Sequence, residues 1–256
     1  MNTKVFISGS IAIKFLPMEV SILINKIIAQ GFNILVGDAD GVDLSVQRYC
    51  LSKEYFNVVI YHISEKPRNL ATDKFKVRRV NVPDSLKKER ERQMYKDKEM
   101  TIDSDFSLII WDGKSKGSYA NIIRALEQNK KVNVYSMQEN KFLEPNKLNK
   151  LNIEYIFREN NGYSASEVVS YLQNNGTERF KRPQDLNKYL FKRAIIKKEG
   201  KIYSPMPGYS DLFIVKKYRG KKNGINFRNE FIDWIEKDLK ATEEAKLTQD
   251  ELFAVT

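Results

Sequence analysis

The sequence holds a single cysteine, Cys50, and a single histidine, His62. One thiol cannot form an intramolecular disulfide, and one thiol with one imidazole cannot furnish the Cys/His set of a structural zinc site, so no metal is expected. No apolar stretch approaches the ~20 residues of a membrane-spanning helix. The opening MNTKVFISGS has one lysine and then a strand-like run too short for a secretory signal core. Internal repeats and low-complexity tracts are also lacking. These absences lead to the expectation of a soluble, cytoplasmic protein with no membrane partner.

What is present is a chain of 256 residues, 41% hydrophobic and 30% charged, enough for one fair-sized domain or one domain with a small appendage. The formal net charge of +11 is unevenly placed. Residues 177–240 hold 17 Lys/Arg against 8 Asp/Glu, a surplus of nine, whereas residues 241–256 hold one against four. A polyanion or an acidic protein partner is therefore to be sought in the C-terminal quarter.

Through residues 1–136, strand-like apolar runs alternate with amphipathic stretches, which is the pattern of βαβ units around a parallel sheet. The predicted strands are Lys4–Ser8, Asn33–Gly37, Asn57–Ile63, Phe106–Trp111 and Lys131–Ser136. Between them fall helices from about Pro17 to Gly31, Val42 to Glu54, residues 84–104 and Ser118 to Asn129. Residues 64–83, polar and carrying Pro67, Pro83 and the pair Arg78 and Arg79, read as a long connection and a candidate lid. The expected fold class is α/β, a doubly wound parallel sheet over residues 1–172. The segment 174–183 reads as a linker to a small basic α+β module, residues 177–256. In that module the sequence predicts a helix at 183–191, a hairpin turning at Glu199 and Gly200, a strand at 211–218, a helix at 227–239 and a frayed acidic tail.

In a doubly wound sheet, ligands sit beyond the carboxyl ends of the strands. Three loops there carry glycine: Ser8, Gly9 and Ser10; Gly37, Asp38, Ala39, Asp40, Gly41, Val42 and Asp43; and Asp112, Gly113, Lys114, Ser115, Lys116, Gly117 and Ser118. The third suits a phosphate best, because its glycines admit close backbone approach and the following helix points N–H groups outward beside two lysines and two hydroxyls. It lacks the spacing of a Walker A loop. One such loop is ordinary turn chemistry; three together favour a ligand.

The strand VFISGS, the segment GDADGVDLSVQRYC, YKDKEM ahead of SDFSLIIWDGKSKGSYANIIRAL, and the closing KKVNVY resemble the SLOG superfamily of Rossmann-like nucleotide-binding proteins over about the first 140 residues. The resemblance implies a nucleotide-derived ligand, such as a nucleoside phosphate, ADP-ribose or a cyclic relative, held in the three loops. No further cofactor is required. It also implies association through helices flanking the pocket, hence a homodimer. One branch, the cytokinin-activating phosphoribohydrolases, cleaves an N-glycosidic bond with a glutamate in G-G-x-G-T-x-x-E and an arginine four residues before a methionine. Here Asn121 stands at the glutamate position and Lys96, four residues before Met100, at the arginine position. An amide cannot supply the carboxylate's acid/base assistance of ~10²–10⁴ in rate. Where many relatives read Gly-Ser-Arg in the first loop, this chain reads Gly9-Ser10-Ile11.

Asp38, Asp40 and Asp43 have two readings, as turn and helix-capping residues or as ligands for ribose hydroxyls or a divalent cation; their spacing is not that of an EF-hand. Asp112 either closes its own turn or accepts from a ribose. His62, Tyr95 and Trp111 read as packed residues. The functional expectation is binding or sensing of a nucleotide-derived ligand. The first alternative is an N-glycosidase that draws on Lys96 with Asp43 or Asp112. The second is nucleic-acid binding through Lys197, Lys198, Lys216, Lys217, Arg219, Lys221 and Lys222, which surround two turns interleaved with Tyr203, Tyr209 and Tyr218.

Overall fold

The structure is a computed structural model that describes residues 3–218 and 220–253. The chain divides into two compact units, Met1–Ile156 and Phe157–Thr256.

The first unit is built on a seven-stranded sheet. Its strands are β1 (Lys4–Gly9), β2 (Asn33–Gly37), β3 (Val58–His62), β4 (Lys76–Arg79), β5 (Phe106–Trp111), β6 (Lys131–Ser136) and β7 (Lys141–Phe142). They lie in the order β4-β3-β2-β1-β5-β6-β7. Every pairing is parallel except that of β6 with β7. Helices α1 (Met18–Ala29), α2 (Val42–Ser52), α3 (Glu89–Asp103) and α4 (Lys116–Glu127) connect the strands.

The apolar runs of the central strands are continuous because both faces of the sheet are covered. Val5 and Ile7 of β1, with Val36 of β2 and Ile60 of β3, pack against Val20, Ile24 and Ile27 of α1 and Val46 and Cys50 of α2. The alternate residues Phe6, Leu35 and Tyr61 pack with Met100 of α3 on the opposite face. The fold is therefore Rossmann-like and doubly wound, as its sequence predicts.

Two strands of this sheet carry no apolar signal. Residues 64–83, expected as one long connection, contain β4, whose four residues are all exposed and which pairs with β3 from Val59↔Lys76 to His62↔Arg79. The other is β7, two residues long. Among the described residues no helix is long and apolar enough to cross a membrane.

The second unit contains α6 (Ala165–Asn174), α7 (Pro183–Lys192), the hairpin β8 (Ile196–Glu199) and β9 (Ile202–Pro205), the hairpin β10 (Phe213–Tyr218) and β11 (Lys221–Phe227), and α8 (Asn229–Phe253). The remaining helix, α5 (Lys150–Asn161), spans the division at Ile156. The boundary thus precedes the expected one at 172–177. Val168, Val169 and Leu172 of α6 belong to the second core, with Leu186, Leu190, Phe213, Phe227, Phe231 and Ile235. The expected linker is also part of that core, since Phe180 is buried there and its carbonyl accepts from the Gln173 side chain at 2.8 Å. Strand β11 escapes sequence pattern because only Phe227 in it is buried. The tail expected to fray continues α8 through Phe253.

Candidate functional site

In the sheet of the first unit, strands two to four follow β1 outward on one side, and β5 to β7 follow on the other. The strand order therefore reverses between the parallel neighbours β1 and β5, the place where doubly wound sheets open a crevice at their carboxyl ends. A cavity of about 300 Å³ occurs there. Ser8 and Gly9 from the end of β1 line it, with Ser115, Gly117, Ser118 and Asn121 after β5, Asp43 after β2, Arg68 after β3, and Arg90, Gln93, Met94, Lys96 and Asp97 from α3.

The wall after β5 is the start of α4. Asp112 turns the chain into it by accepting from the N–H groups of Lys114 at 3.0 Å and Ser115 at 2.7 Å, so this carboxylate closes its own turn. Ser115 is the N-cap residue, and its Oγ accepts from the Ser118 N–H at 3.4 Å. The N–H groups of Lys116 and Gly117 have no acceptor among the described residues, and a Cβ added to Gly117 would meet nothing nearer than Ser115 Oγ at 4.0 Å. Two backbone donors at the positive end of a helix thus flank open space. Trp111 is buried and its Nε1–H donates to the Ser115 carbonyl at 3.2 Å, which braces the loop from behind.

The floor is a buried cluster of charges. Lys96 is 2% exposed, and its Nζ lies 3.3 Å from Asp38 Oδ1 and 3.6 Å from Asp97 Oδ1. Burial works to lower the Lys96 pKa, but the carboxylates of Asp97, Asp43 and Asp38 outweigh it and hold the ammonium above its ordinary value. Asp38 is fully buried. Burial would raise its pKa, yet hydrogen bonds from Arg68 and the charge of Lys96 bring it down to about 2. Asp43 shares Lys96 but accepts no hydrogen bond from an arginine among the described residues. Desolvation dominates there, Asp97 and Asp38 add to it against the opposing charge of Lys96, and its pKa rises to about 7. Among the described residues only its Oδ2 accepts a hydrogen bond, from the Ala39 N–H at 3.2 Å.

Glycines make this packing possible. A Cβ on Gly9 would lie 2.4 Å from the Ile110 carbonyl oxygen and 2.6 Å from Val42 Cγ2, which shows how closely the loops after β1, β2 and β5 converge. Gly41 has φ +79, and a Cβ there would lie 2.4 Å from the Ile11 carbonyl oxygen.

Of the residues chosen from sequence, Ser8, Gly9, Asp43, Lys96, Ser115, Gly117 and Ser118 line the cavity. Ser10, Gly37, Asp38, Gly41, Val42, Asp112, Gly113 and Lys114 are not among the residues that line it. Asp40 is exposed and ion-paired with Lys14 at 2.6 Å. His62 is buried, its Nδ1 3.0 Å from the Ser64 carbonyl, away from the cavity. Asn121 donates to Ser8 Oγ at 3.2 Å and accepts from Arg124 at 2.7 Å. The expected lid is instead tied down. Arg68 clasps Asp38, Asn69 donates to the Asp38 carbonyl at 2.9 Å, and Gln47 bridges the Gly37 carbonyl and the Ala71 N–H, both at 3.0 Å. Sequence reading missed Arg68, Arg90, Gln93 and Asp97. The rule that located the other loops applies equally to the loop after the third strand, and it points to Arg68.

In the second unit, Lys217 lies directly opposite Lys222 across β10 and β11, and Lys216 opposite Gly224. Lys197 is neutralised by Glu199 at 2.6 Å, and Lys198 sits over the Tyr203 ring, 5.7 Å from its centroid. Lys216, Lys217 and Lys221 have no carboxylate partner among the described residues, Lys222 lies near enough to Glu199 to help lower its pKa, and Arg219 lies outside the described residues.

No family model matches the chain, and no curated protein matches it. A solved structure of DNA processing protein A from Helicobacter pylori, described for its single-stranded DNA binding mode, is similar at 17% identity and TM-score 0.38. That alignment covers 75% of this chain and 81% of the other. A likeness this slight carries no argument about function, and none of these comparisons shows a SLOG family.

Proposed function

We propose that the first unit binds or senses a nucleotide-derived ligand in the cavity between β1 and β5. The observation that carries this reading is the first turn of α4, where Gly117 lines the cavity without a side chain and the N–H groups of Lys116 and Gly117 have no acceptor among the described residues. A phosphate placed there takes both donors and the helix dipole. Ser8, Asn121 and the free oxygen of Asp43 suit ribose hydroxyls, and Met94 with Ile11 supplies apolar surface for a base. The resemblance of VFISGS, GDADGVD and WDGKSKGS to SLOG loops agrees with this assignment. Mass spectrometry of small molecules released on denaturing the purified protein tests it: a phosphorylated nucleoside is expected, and its absence, together with no binding to nucleotides in calorimetry, would overturn it.

A catalytic reading draws on one further observation, that Asp43 reaches the cavity with a pKa of about 7 and can therefore give or take a proton near neutrality. In an N-glycosidase it would protonate the departing base or activate water. Incubation with nucleoside monophosphates decides between the two: no free base is expected from a binder, whereas base release lost in Asp43→Asn selects the enzyme. For the second unit, the opposed Lys217 and Lys222 on an exposed hairpin favour contact with nucleic-acid phosphates.

A further inference from the structure

We propose that the cavity accepts a ligand with two anionic groups, one on the N-terminus of α4 and the other on Arg68 and Arg90, with Asp38 as the residue that positions Arg68. This deepens the reading above and rests on it.

The two anion-binding poles come from different parts of the chain. The first, from α4, is described above. The second is built around Arg68, in the connection after β3, and Arg90, in the first turn of α3. The Arg68 guanidinium meets Asp38 side-on, Nε donating to Oδ2 at 3.1 Å and Nη2 to Oδ1 at 2.7 Å. Nη2 donates again to Gln93 Oε1 at 3.1 Å, and the Arg68 backbone N–H to Asp38 Oδ2 at 3.1 Å. Every donor on that side of the fork is used. Nη1 has no acceptor among the described residues, although Arg68 lines the cavity.

A purely structural ion pair does not account for this arrangement. Lys96 has Asp97 and Asp43 beside it as well as Asp38, whereas the Arg68 side chain, 39% exposed, keeps the Nη1 donors that no partner among the described residues takes. Arg90, exposed and lining the same cavity, has no carboxylate partner among the described residues. A guanidinium already fixed by its other donors loses little rotamer freedom when it grips an anion. A ligand with one phosphate satisfies α4 and leaves this second pole to water. One with a second phosphate or a carboxylate on the far side of its sugar satisfies both. Between the poles, the Asp43 oxygen that accepts no hydrogen bond belongs to a residue only 8% exposed, and it suits a hydroxyl on the central part of such a molecule.

Calorimetry on the full chain tests the proposal with adenosine and guanosine 5′-monophosphates against the corresponding 3′,5′-bisphosphates. The bisphosphates are expected to bind at least about tenfold tighter, the effect of one added charge-assisted contact. Arg68→Gln is expected to bring the bisphosphate to the affinity of the monophosphate while leaving the monophosphate unchanged. Asp38→Asn should move only the bisphosphate, and a merely structural role for Asp38 would weaken both ligands alike. Thermal unfolding controls for folding, and Arg90→Gln, at an exposed position, carries the same test if Arg68→Gln is unstable. Equal affinity for both ligand classes, or a bisphosphate preference that survives both arginine changes, overturns the inference. If monophosphate binding still depends on Gly117, the single-phosphate reading stands without it. Failure of every nucleotide to bind overturns both.

Discussion

A Cβ placed on Gly37 would lie 2.3 Å from Oδ2 of Asp43. The last residue of β2 lacks a side chain because the carboxylate occupies that volume, with Lys96 Nζ only 2.8 Å from the same point. Neither group can retreat without breaking a buried polar contact. Gly37→Ala is therefore expected to destabilise the first unit by about 1–3 kcal/mol, the usual effect of overpacking. Denaturant titration followed by Trp111 fluorescence in a Trp234→Phe background reads it, and an unchanged midpoint would show that the cluster can yield.

Asp43 should also leave a mark on pH dependence. Its pKa rises from 3.8 to about 7 on folding, so between those values the native state holds a proton that the unfolded state has released. Its contribution to stability falls as pH rises through that window and levels off above it, with a slope of at most about 1.4 kcal/mol per pH unit. Asp38 acts oppositely and lower, its contribution present above 3.8 and lost as pH falls toward 2. Unfolding free energies from pH 4.5 to 7 should fall less steeply in Asp43→Asn than in the wild type. Parallel curves would mean that Asp43 titrates normally.

Much of this site was legible in sequence, and what was missed has a physical cause. The five strands buried on both faces announced themselves as continuous apolar runs, and the glycines at their ends marked the loops. Strand β4 reads KVRR, holds its place by its ladder to β3 and by Arg78, which pairs with Asp103 and Tyr61, and buries nothing, so no hydrophobic pattern could reveal it. Arg68 was hidden for a related reason: its segment has no period, and the side chain is placed by a single carboxylate far away in sequence. The spacing of Asp38, Asp40 and Asp43 likewise gave no hint of which one would be clasped by an arginine, which would face solvent and which would be buried with one oxygen toward the cavity.

Gly117→Val separates ligand from fold. The position is exposed and a Cβ there meets no neighbour within 3.4 Å, so the melting temperature should stay the same or rise slightly. Two further methyl groups would stand over the free N–H donors, and the affinity for a copurified or best-binding nucleotide should fall at least tenfold. Full affinity in the variant would place the phosphate elsewhere.

For the hairpin of β10 and β11, the full chain should bind oligonucleotides with an affinity that falls steeply with salt. Changing Lys216, Lys217, Lys221 and Lys222 to glutamine should flatten the slope of log K against log[salt] on duplex DNA by roughly 0.9 for each lysine that touched a phosphate. An unaltered slope would leave these lysines as solvated surface.

The exposed strand β4 has a consequence for how this protein behaves at high concentration. Its outer edge offers unpaired backbone groups to any passing strand, and such an edge is a template for intermolecular sheet growth. Three of its four side chains, Lys76, Arg78 and Arg79, are cationic, and two copies meeting edge to edge would bring like charges into register. Arg78 is ion-paired with Asp103 and stacked on Tyr61, so Lys76 and Arg79 are the two free to repel a second copy. Changing Lys76 and Arg79 to neutral residues should leave the protein's melting temperature nearly untouched while lowering the concentration at which it begins to precipitate.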